Sequence, residues 1–487
     1  MGSMTNFHWI WLIIFGAAYV AFLFLLAARA RKINVKDDGG EDFDFARAGS
    51  NNRFLIFLSF SATLFSTFTL MGVPDFFRVH GVATWVFIGV TDVTLGLVVL
   101  WFGYKYFQSL RQHKVNSMTE ILALRFKRNW GVSVYLIGIF VFLLPYVAIQ
   151  IQGVSELASA LILPGVGNSW ASYVIASLVL VIIYLYSTTG GLRAIMFSDV
   201  VQGLILTGII YLIAVTILDS FGGLQQFFVH LEASNHALMV PPGPTGFMSW
   251  QYLLASFIAI LWMPVTQPQL TSRIASMTRL TDLPIISVGI SVFAFLILLP
   301  TIVIGLSGAM SYPEATSGEF LAQTLVLSQA GWVGALAIVG LLAAAMSTAD
   351  SQFFALRTEI QQSTGAHNQY RQLLRRVLFP VFFILALLLA IFVREELIPL
   401  ARVSFAGTAL LGPMIVAALF RKRGSLSGAI PAITLLALAY FLLSQFGAVP
   451  SKIVGMRLDL SLMIITSFVT IVFFILERPG KRSVGGV

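Results

Sequence analysis

The chain has 487 residues, of which 58% are hydrophobic and 10% charged, with a mean hydropathy of +0.89 and a formal net charge of +9. A soluble domain carries about 25% charged residues, so this chain has too little polar surface to face water all round. The positive charge reads as an orientation signal and a contact with anionic lipid rather than a nucleic-acid surface, and the absence of cysteine excludes disulfides.

Thirteen apolar stretches are long enough to span a hydrocarbon core, which takes about 20 helical residues. In chain order they cover 7–28, 54–77, 83–107, 131–161, 169–188, 194–218, 251–271, 284–311, 332–356, 374–393, 397–420, 426–446 and 459–476. Met1–Ser3 read as a cloning remnant ahead of Met4. The first stretch has no Lys or Arg before it and Arg29, Arg31 and Lys32 after it. It therefore reads as a retained helix with its N-terminus outside, not as a cleaved signal. With alternating topology, 25 of the 30 basic residues fall inside. Only Arg78, Arg394, Lys452 and Arg457 fall outside, and Arg402 lies within a span. That bias predicts a multi-pass protein of the cell membrane with its N-terminus outside and its C-terminus cytoplasmic; a bacterial plasma membrane is the expected location.

The connections are short. The acidic run DDGGEDFDF (37–45) reads as a solvated linker. NSMTEILALRF (116–126) reads as a cytoplasmic surface helix with Ser117 as cap and Glu120 three residues on. The outside loop 219–250 holds a short helix, LQQFFVHLEA, and the breaker PPGPTG. The sequence ends nine residues after Arg478, so no appended catalytic or signalling domain is expected. No HExxH or GxSxG motif occurs, and the membrane acids form no recognisable catalytic arrangement, so an enzyme is not expected.

Two stretches carry features that a lipid-facing helix has no use for. SFSATLFSTFTLMGVPDFF (59–77) mixes six hydroxyl residues with Gly72 and Pro74. AILWMPVTQPQLTSR (259–273) brackets Val265, Thr266 and Gln267 with Pro264 and Pro268. Proline frees a carbonyl four residues back, and in a bilayer such groups persist only against protein or a hydrated cavity. The two stretches stand five spans apart, which points to an inverted-repeat transporter with its site at the breaks. The expected organisation is a leading helix and linker (1–53), a first five-helix unit (54–218), an outer loop (219–250), a second unit (251–420), and two trailing helices with a tail (421–487).

The stretch LLAAAMSTADSQFF (341–354) raises a question of its own. At ~100° per residue, Ala344, Ser347, Thr348 and Ser351 share an arc of ~100°, with Asp350 ~60° beyond its edge. Hydroxyls beside a small residue offer oxygen ligands that suit a hard alkali cation; the alternative is back-bonding to the helix or glue between helices. The other ionisable groups at membrane depth are Asp92, Glu156, Asp199 and Arg402. Such groups are costly there and usually functional. Arg402 is expected to snorkel or to pair with Glu156, ahead of receiving a substrate carboxylate.

These motifs carry a resemblance. FARAGSNNRF before the first break, LMGVP within it, STTGGLRAIMFSDVVQG, TQPQLTSR, MSTADSQ and SFAGTALLGP together resemble the sodium:solute symporter family, nearest to its proline-transporter branch. The resemblance implies an all-α membrane fold of about 13 helices: a LeuT-type five-plus-five inverted repeat with one leading and two trailing helices. It implies a sodium site made by the backbone carbonyls of Ala62, Phe65 and Ala344 and the hydroxyls of Ser347 and Thr348. Asp199 matches an aspartate on the sodium exit path; with Asp350 and Ser351 it marks a second cation site or that path. Leu64 stands where proline-transporting members carry an aspartate, so proline itself is not carried over. Substrate is expected between the broken helices, with candidate contacts at Ser66, Thr67, Thr69, Asp92, Tyr146, Gln150, Trp262 and Gln267. The implied function is sodium-coupled symport of a small solute, an amino acid or small carboxylate, by alternating access. The rival readings are a solute-sensing module of the same fold and a proton-coupled symporter.

Overall fold

In a bilayer core every backbone N–H and C=O needs a partner within the protein, which makes helices the natural state of long apolar stretches. The computed structural model of the chain describes residues 4–37, 53–64, 66–162, 170–363, 369–393, 397–421 and 424–477. Side chains are described among these except at 30–37, 128, 180, 182–193, 369–376 and 379. Phe65, Arg394, most of the acidic run and the tail beyond 477 lie outside the described residues.

The leading helix α1 (Asn6–Asp37) is followed by α2 (Arg53–Leu64), a widened π turn (Phe68–Gly72) and α3 (Val73–His80), the last three forming one span bent by 57°. After α4 (Val90–His113) comes α5 (Met118–Arg125), with the expected capping box between Ser117 and Glu120; expected on the surface, it is mostly buried, its first-turn amides bonded to Glu359, and exposes only Ala123 and Leu124. α6 (Trp130–Ile162) and α7 (Trp170–Ser220) complete the first half. The connection from α7 to the next span contains α8 (Leu224–Ser234). A second bent span, 45° at its break, comprises α9 (Trp250–Leu261), α10 (Met263–Thr266) and α11 (Pro268–Ala275). Then follow α12 (Leu283–Ser311), the short α13 (Ser317–Leu321), α14 (Gly331–Ser363) and α15 (Gln369–Phe392). α16 (Leu397–Ala409) and α17 (Gly412–Phe420) share one span. α18 (Ala429–Gln445), a two-residue hairpin pairing Lys452 with Arg457, and α19 (Leu458–Leu476) close the chain.

Among the described residues, eight helices are long and apolar enough to cross a membrane, and the two bent pairs bring the number to ten. Three shorter apolar helices, Trp170–Val179, Pro380–Phe392 and Ala429–Gln445, cover the remaining stretches. The stretches at 169–188 and 194–218 were expected as separate spans, yet both lie on the single helical element α7. No proline interrupts it, and a glycine pair costs only about 1 kcal/mol per residue in a helix.

The breaks sit centrally. α2 packs against α7, α11, α12 and α14, while α1 lies across α7 and α14. Large apolar side chains such as Leu97, Val288 and Phe468 stay exposed on the outer faces, as a lipid-facing surface requires.

Candidate functional site

In an unbroken helix the amides of Ser66 and Thr67 would bond the carbonyls of Ala62 and Thr63. Here the Ser66 amide donates to Thr69 Oγ1 at 3.3 Å, and the Thr67 amide donates to Gln150 Oε1 at 3.3 Å. The Phe68 amide turns to Ser66 Oγ at 3.0 Å. The carbonyls of Ala62, Thr63 and Leu64 thereby lose their helical donors at the end of α2. Gln150 is held in place because its own Nε2 donates to the Tyr146 carbonyl at 3.0 Å. Gly153 lets α6 come close: a Cβ there would meet Thr67 Cγ2 at 2.3 Å.

Against the end of α2 stands the polar face of α14. Ala344, Ser347 and Thr348 are all buried. The Ser347 hydroxyl donates to Asp199 Oδ1 at 2.6 Å, while the Thr348 hydroxyl has no hydrogen-bond partner among the described residues. Asp199 on α7 also accepts from Ser59 at 2.9 Å and from Thr63 at 3.4 Å, both on α2. Its fourth donor is Arg273 Nη2 at 2.8 Å. The same nitrogen donates to Ser351 Oγ at 2.7 Å, and Nη1 reaches the Gln269 carbonyl at 3.2 Å. Asp199 and Arg273 thus tie α2, α7, α11 and α14 together through side chains that are 0% exposed.

Arg273 is the functional residue that the sequence reading missed. It was counted among the cytoplasmic charges because it follows an apolar stretch, yet it is wholly buried. The signal available was its register: Arg273 comes five residues after Pro268, on a short polar helix whose every residue is buried.

The expected solute contacts divide. Thr69, Asp92 and Tyr146 line one central cavity together with Leu64, Phe68, Ile260, Met263 and Phe405. That cavity measures about 20 Å³, room for about one water, so the centre is shut. Ser66 borders it, with its hydroxyl 3.4 Å from Tyr146. Thr67 and Gln150 serve the break itself. Gln267 sits extended between α10 and α11 and accepts from Gln269 Nε2 at 2.5 Å.

Residues 46–436 match the sodium:solute symporter family. The chain belongs to that family. It is 22% identical over 257 residues to a sodium/pantothenate symporter of Haemophilus influenzae, a match covering 52% of this chain and 51% of that protein. The chain thus spans about half the length of this curated relative.

Among solved structures, the family member is similar to a Na+-coupled sialic acid symporter in its substrate-bound outward-open state. The TM-score is 0.72 at 18% identity, covering 98% of this chain and 99% of that one. MhsT in complex with L-phenylalanine matches at a TM-score of 0.56 and 12% identity, covering 88% and 99%. Mhp1, a nucleobase-cation-symport-1 family transporter in a closed conformation with bromovinylhydantoin bound, matches at 0.53 and 14%, covering 88% and 93%. At these identities the likeness is one of fold: a LeuT-type, all-α transporter architecture. This family member is a multi-pass membrane protein by its apolar helices.

The remaining candidates of this symporter-family chain lie off the central site. Trp262 lines an apolar groove of about 510 Å³ with Pro413, Val416, Ile471 and Phe474, away from the Asp92 cavity. It is placed there because Gly412 has no side chain; a Cβ would strike the indole at 2.3 Å. Arg402 does not pair with Glu156. It forms an ion pair with Asp459 of α19, donates to Ser256 Oγ at 2.6 Å and lies over the Tyr252 ring at 4.8 Å. Glu156 accepts from Gln152 Nε2 at 3.0 Å, one turn back on α6. Sequence reading passed over Asp459, which sits in the first turn of a strongly apolar helix.

Proposed function

We propose that this chain is a secondary active transporter in which sodium drives the uptake of a small organic solute by alternating access. The carrying observation is the pairing of released carbonyls at the end of α2 with a buried, unpartnered Thr348 hydroxyl on α14. Uncharged oxygens from two helices that meet at a break suit a hard monovalent cation. The proposed ligands are the carbonyls of Ala62, Phe65 and Ala344 and the hydroxyls of Ser347 and Thr348; Phe65 lies outside the described residues.

A cation bound there bridges α2 and α14 and fixes the break, which in turn shapes the cavity at Thr69 and Tyr146. Sodium then tightens solute binding by the same factor that solute tightens sodium. Asp199 stands on the inner side of the cage, and the Arg273 pair closes the way past it. Release inward requires that pair to part. With the N-terminus outside and the C-terminus cytoplasmic, an inside-negative potential adds about 2.3 kcal/mol per charge per 100 mV.

For the solute, Asp92 is the one charged side chain among those lining the cavity, beside a phenol, a hydroxyl and the rings of Phe68 and Phe405. That lining favours an ammonium group on a partly apolar molecule, and so an amino acid. Pantothenate, named for the similar Haemophilus influenzae symporter, carries a carboxylate, which supports a small carboxylate as the wider class.

The test is uptake of candidate amino acids and carboxylates into proteoliposomes under an inward sodium gradient. Accumulation that collapses when the gradient is dissipated is expected. Solute binding without accumulation would make the chain a sensor. Accumulation driven by a pH gradient in sodium-free buffer would make it a proton symporter.

A further inference from the structure

The apolar groove beside Trp262 carries charge at one end. It runs between α17 and α19 along residues 413–420 and 467–475, from Trp262 to the rings of Phe420 and Phe474, and its walls are almost wholly carbon. At 1.5 Å per residue those stretches extend about 10–12 Å, about a third of a hydrocarbon core of about 30 Å.

Both rings at that end carry a cation. Lys105 Nζ of α4 lies 5.8 Å from the centre of the Phe420 ring, and Arg421 Cζ lies 5.7 Å from that of Phe474. Phe420 and Arg421 are neighbours in the chain, which keeps the two cations at one rim. Trp101 stacks on Phe420 at 5.7 Å and is itself exposed, as aromatic side chains are at a membrane–water interface. No ion pair among the described residues includes Lys105, Arg421 or Arg125. Arg421 donates to the carbonyls of Phe474 at 3.2 Å and Glu477 at 2.7 Å, while the Glu477 carboxylate turns to the Ser427 amide at 2.8 Å. The carbonyl of Arg125 accepts from the Leu426 amide at 2.7 Å, which brings the end of α5 to the connection after α17. The buried Nε atoms of Arg125 and Arg421 have no hydrogen-bond partner among the described residues. Burial first, and the Arg421 guanidinium second, lower the Arg125 pKa, so the two cations repel.

An apolar groove in a bilayer accepts any acyl chain; cations without acidic partners at its rim discriminate among headgroups. We propose that an anionic phospholipid binds here, with one acyl chain in the groove against Trp262 and its phosphate at the rim beside Lys105 and Arg421. A second copy of this chain, inserted the same way up, would bring the same cations to the same level with no acid to meet them. The acyl chain ends on the residue at which α9 gives way to α10, so the lipid touches the second break. This site needs only the membrane fold and stands whatever solute or ion the chain carries.

The test is native mass spectrometry of the purified full-length protein after incubation in detergent with equal amounts of phosphatidylglycerol and phosphatidylcholine. Each rim charge gives a several-fold preference near a membrane surface, so one retained phosphatidylglycerol per chain, favoured at least about tenfold, is expected. Lys105→Gln and Arg421→Gln are each expected to cut that preference several-fold. Ile471→Trp, on the exposed wall of the groove, is expected to lower retention while leaving every charge in place. Lys105→Gln and Ile471→Trp carry the test if Arg421→Gln, which also strips the last carbonyls of α19, does not fold. Equal retention of the two lipids by the parent, or parental behaviour in both Lys105→Gln and Ile471→Trp, would overturn the proposal. A lipid-free dimer would assign the groove to a second copy and overturn it as well. Displacement of the lipid by excess inorganic phosphate would overturn it in favour of a bare ion site.

Discussion

The pair between Arg273 and Asp199 is the feature whose removal has the most calculable effect. Arg273→Ala leaves a fully buried carboxylate with three hydroxyl donors but no counter-charge. Breaking one side of a buried ion pair costs about 3–5 kcal/mol. The hydroxyls and any sodium or water that reaches Asp199 repay part of that, so the lower end applies. The cost falls on the closed state, where the pair exists, and less on an inward-open state in which Asp199 meets water. A shift of about 3 kcal/mol raises the open population roughly 100-fold, at 1.4 kcal/mol per factor of ten.

The chain has no cysteine, so Ser198→Cys, beside Asp199 and buried, supplies a single reporter thiol. Its labelling by a membrane-impermeant maleimide from the cytoplasmic face is expected to rise by about two orders of magnitude when Arg273→Ala is added. Replacing both partners, Arg273→Met with Asp199→Asn, removes the uncompensated charge and is expected to bring the rate most of the way back. An unchanged labelling rate in Arg273→Ala would refute the view that this pair holds the inner side shut.

Three further outcomes follow from the geometry. Gln150→Leu leaves the Thr67 amide without its acceptor, at about 1–3 kcal/mol for a buried unsatisfied donor; weaker sodium binding and a lower melting midpoint are expected, both read in one thermal titration. Asp92→Asn removes the charged group of the central cavity and is expected to abolish sodium-driven accumulation of amino acids while sodium binding persists. Arg402→Gln leaves Asp459 with Arg457 alone as its cation, 3.5 Å away, and is expected to lower the melting midpoint. Solute affinity in the Arg402→Gln protein that does fold should stay at the parental value, since Arg402 is paired away from the cavity.

Much of this was legible because the relevant signals are local. The first break showed itself through a density of hydroxyls that no lipid-facing helix needs. Its cause was misjudged, because Pro74 sits in the first turn of α3, where its missing N–H costs nothing. The chain parts earlier, between Leu64 and Phe68, where Gln150 and Thr69 supply substitute partners. The second break was more directly written: Pro268 pushes Gln267 out of helical backbone, to φ −94° and ψ 120°. The arc on α14 followed from helical periodicity alone.

What escaped were properties of partners distant in sequence. Arg273 follows an apolar stretch as an interfacial anchor would, and its counter-charge, Asp199, stands 74 residues earlier in the sequence. Arg402 found its counter-charge 57 residues on, at the start of a helix read as purely apolar. Trp262 faces outward rather than into the cavity because Gly412 leaves it room there. In each case side-chain direction depended on a neighbour that periodicity does not reveal.

The central claim is that sodium is held where α2 breaks against α14. Thr348→Val tests it most directly, because it keeps the side chain's shape and removes only a hydroxyl that has no hydrogen-bond partner among the described residues. Sodium titration of the purified protein, followed by thermal stabilisation, is the measurement. A sodium midpoint raised at least about tenfold in Thr348→Val is the expected result. A midpoint equal to that of the parent would contradict the claim.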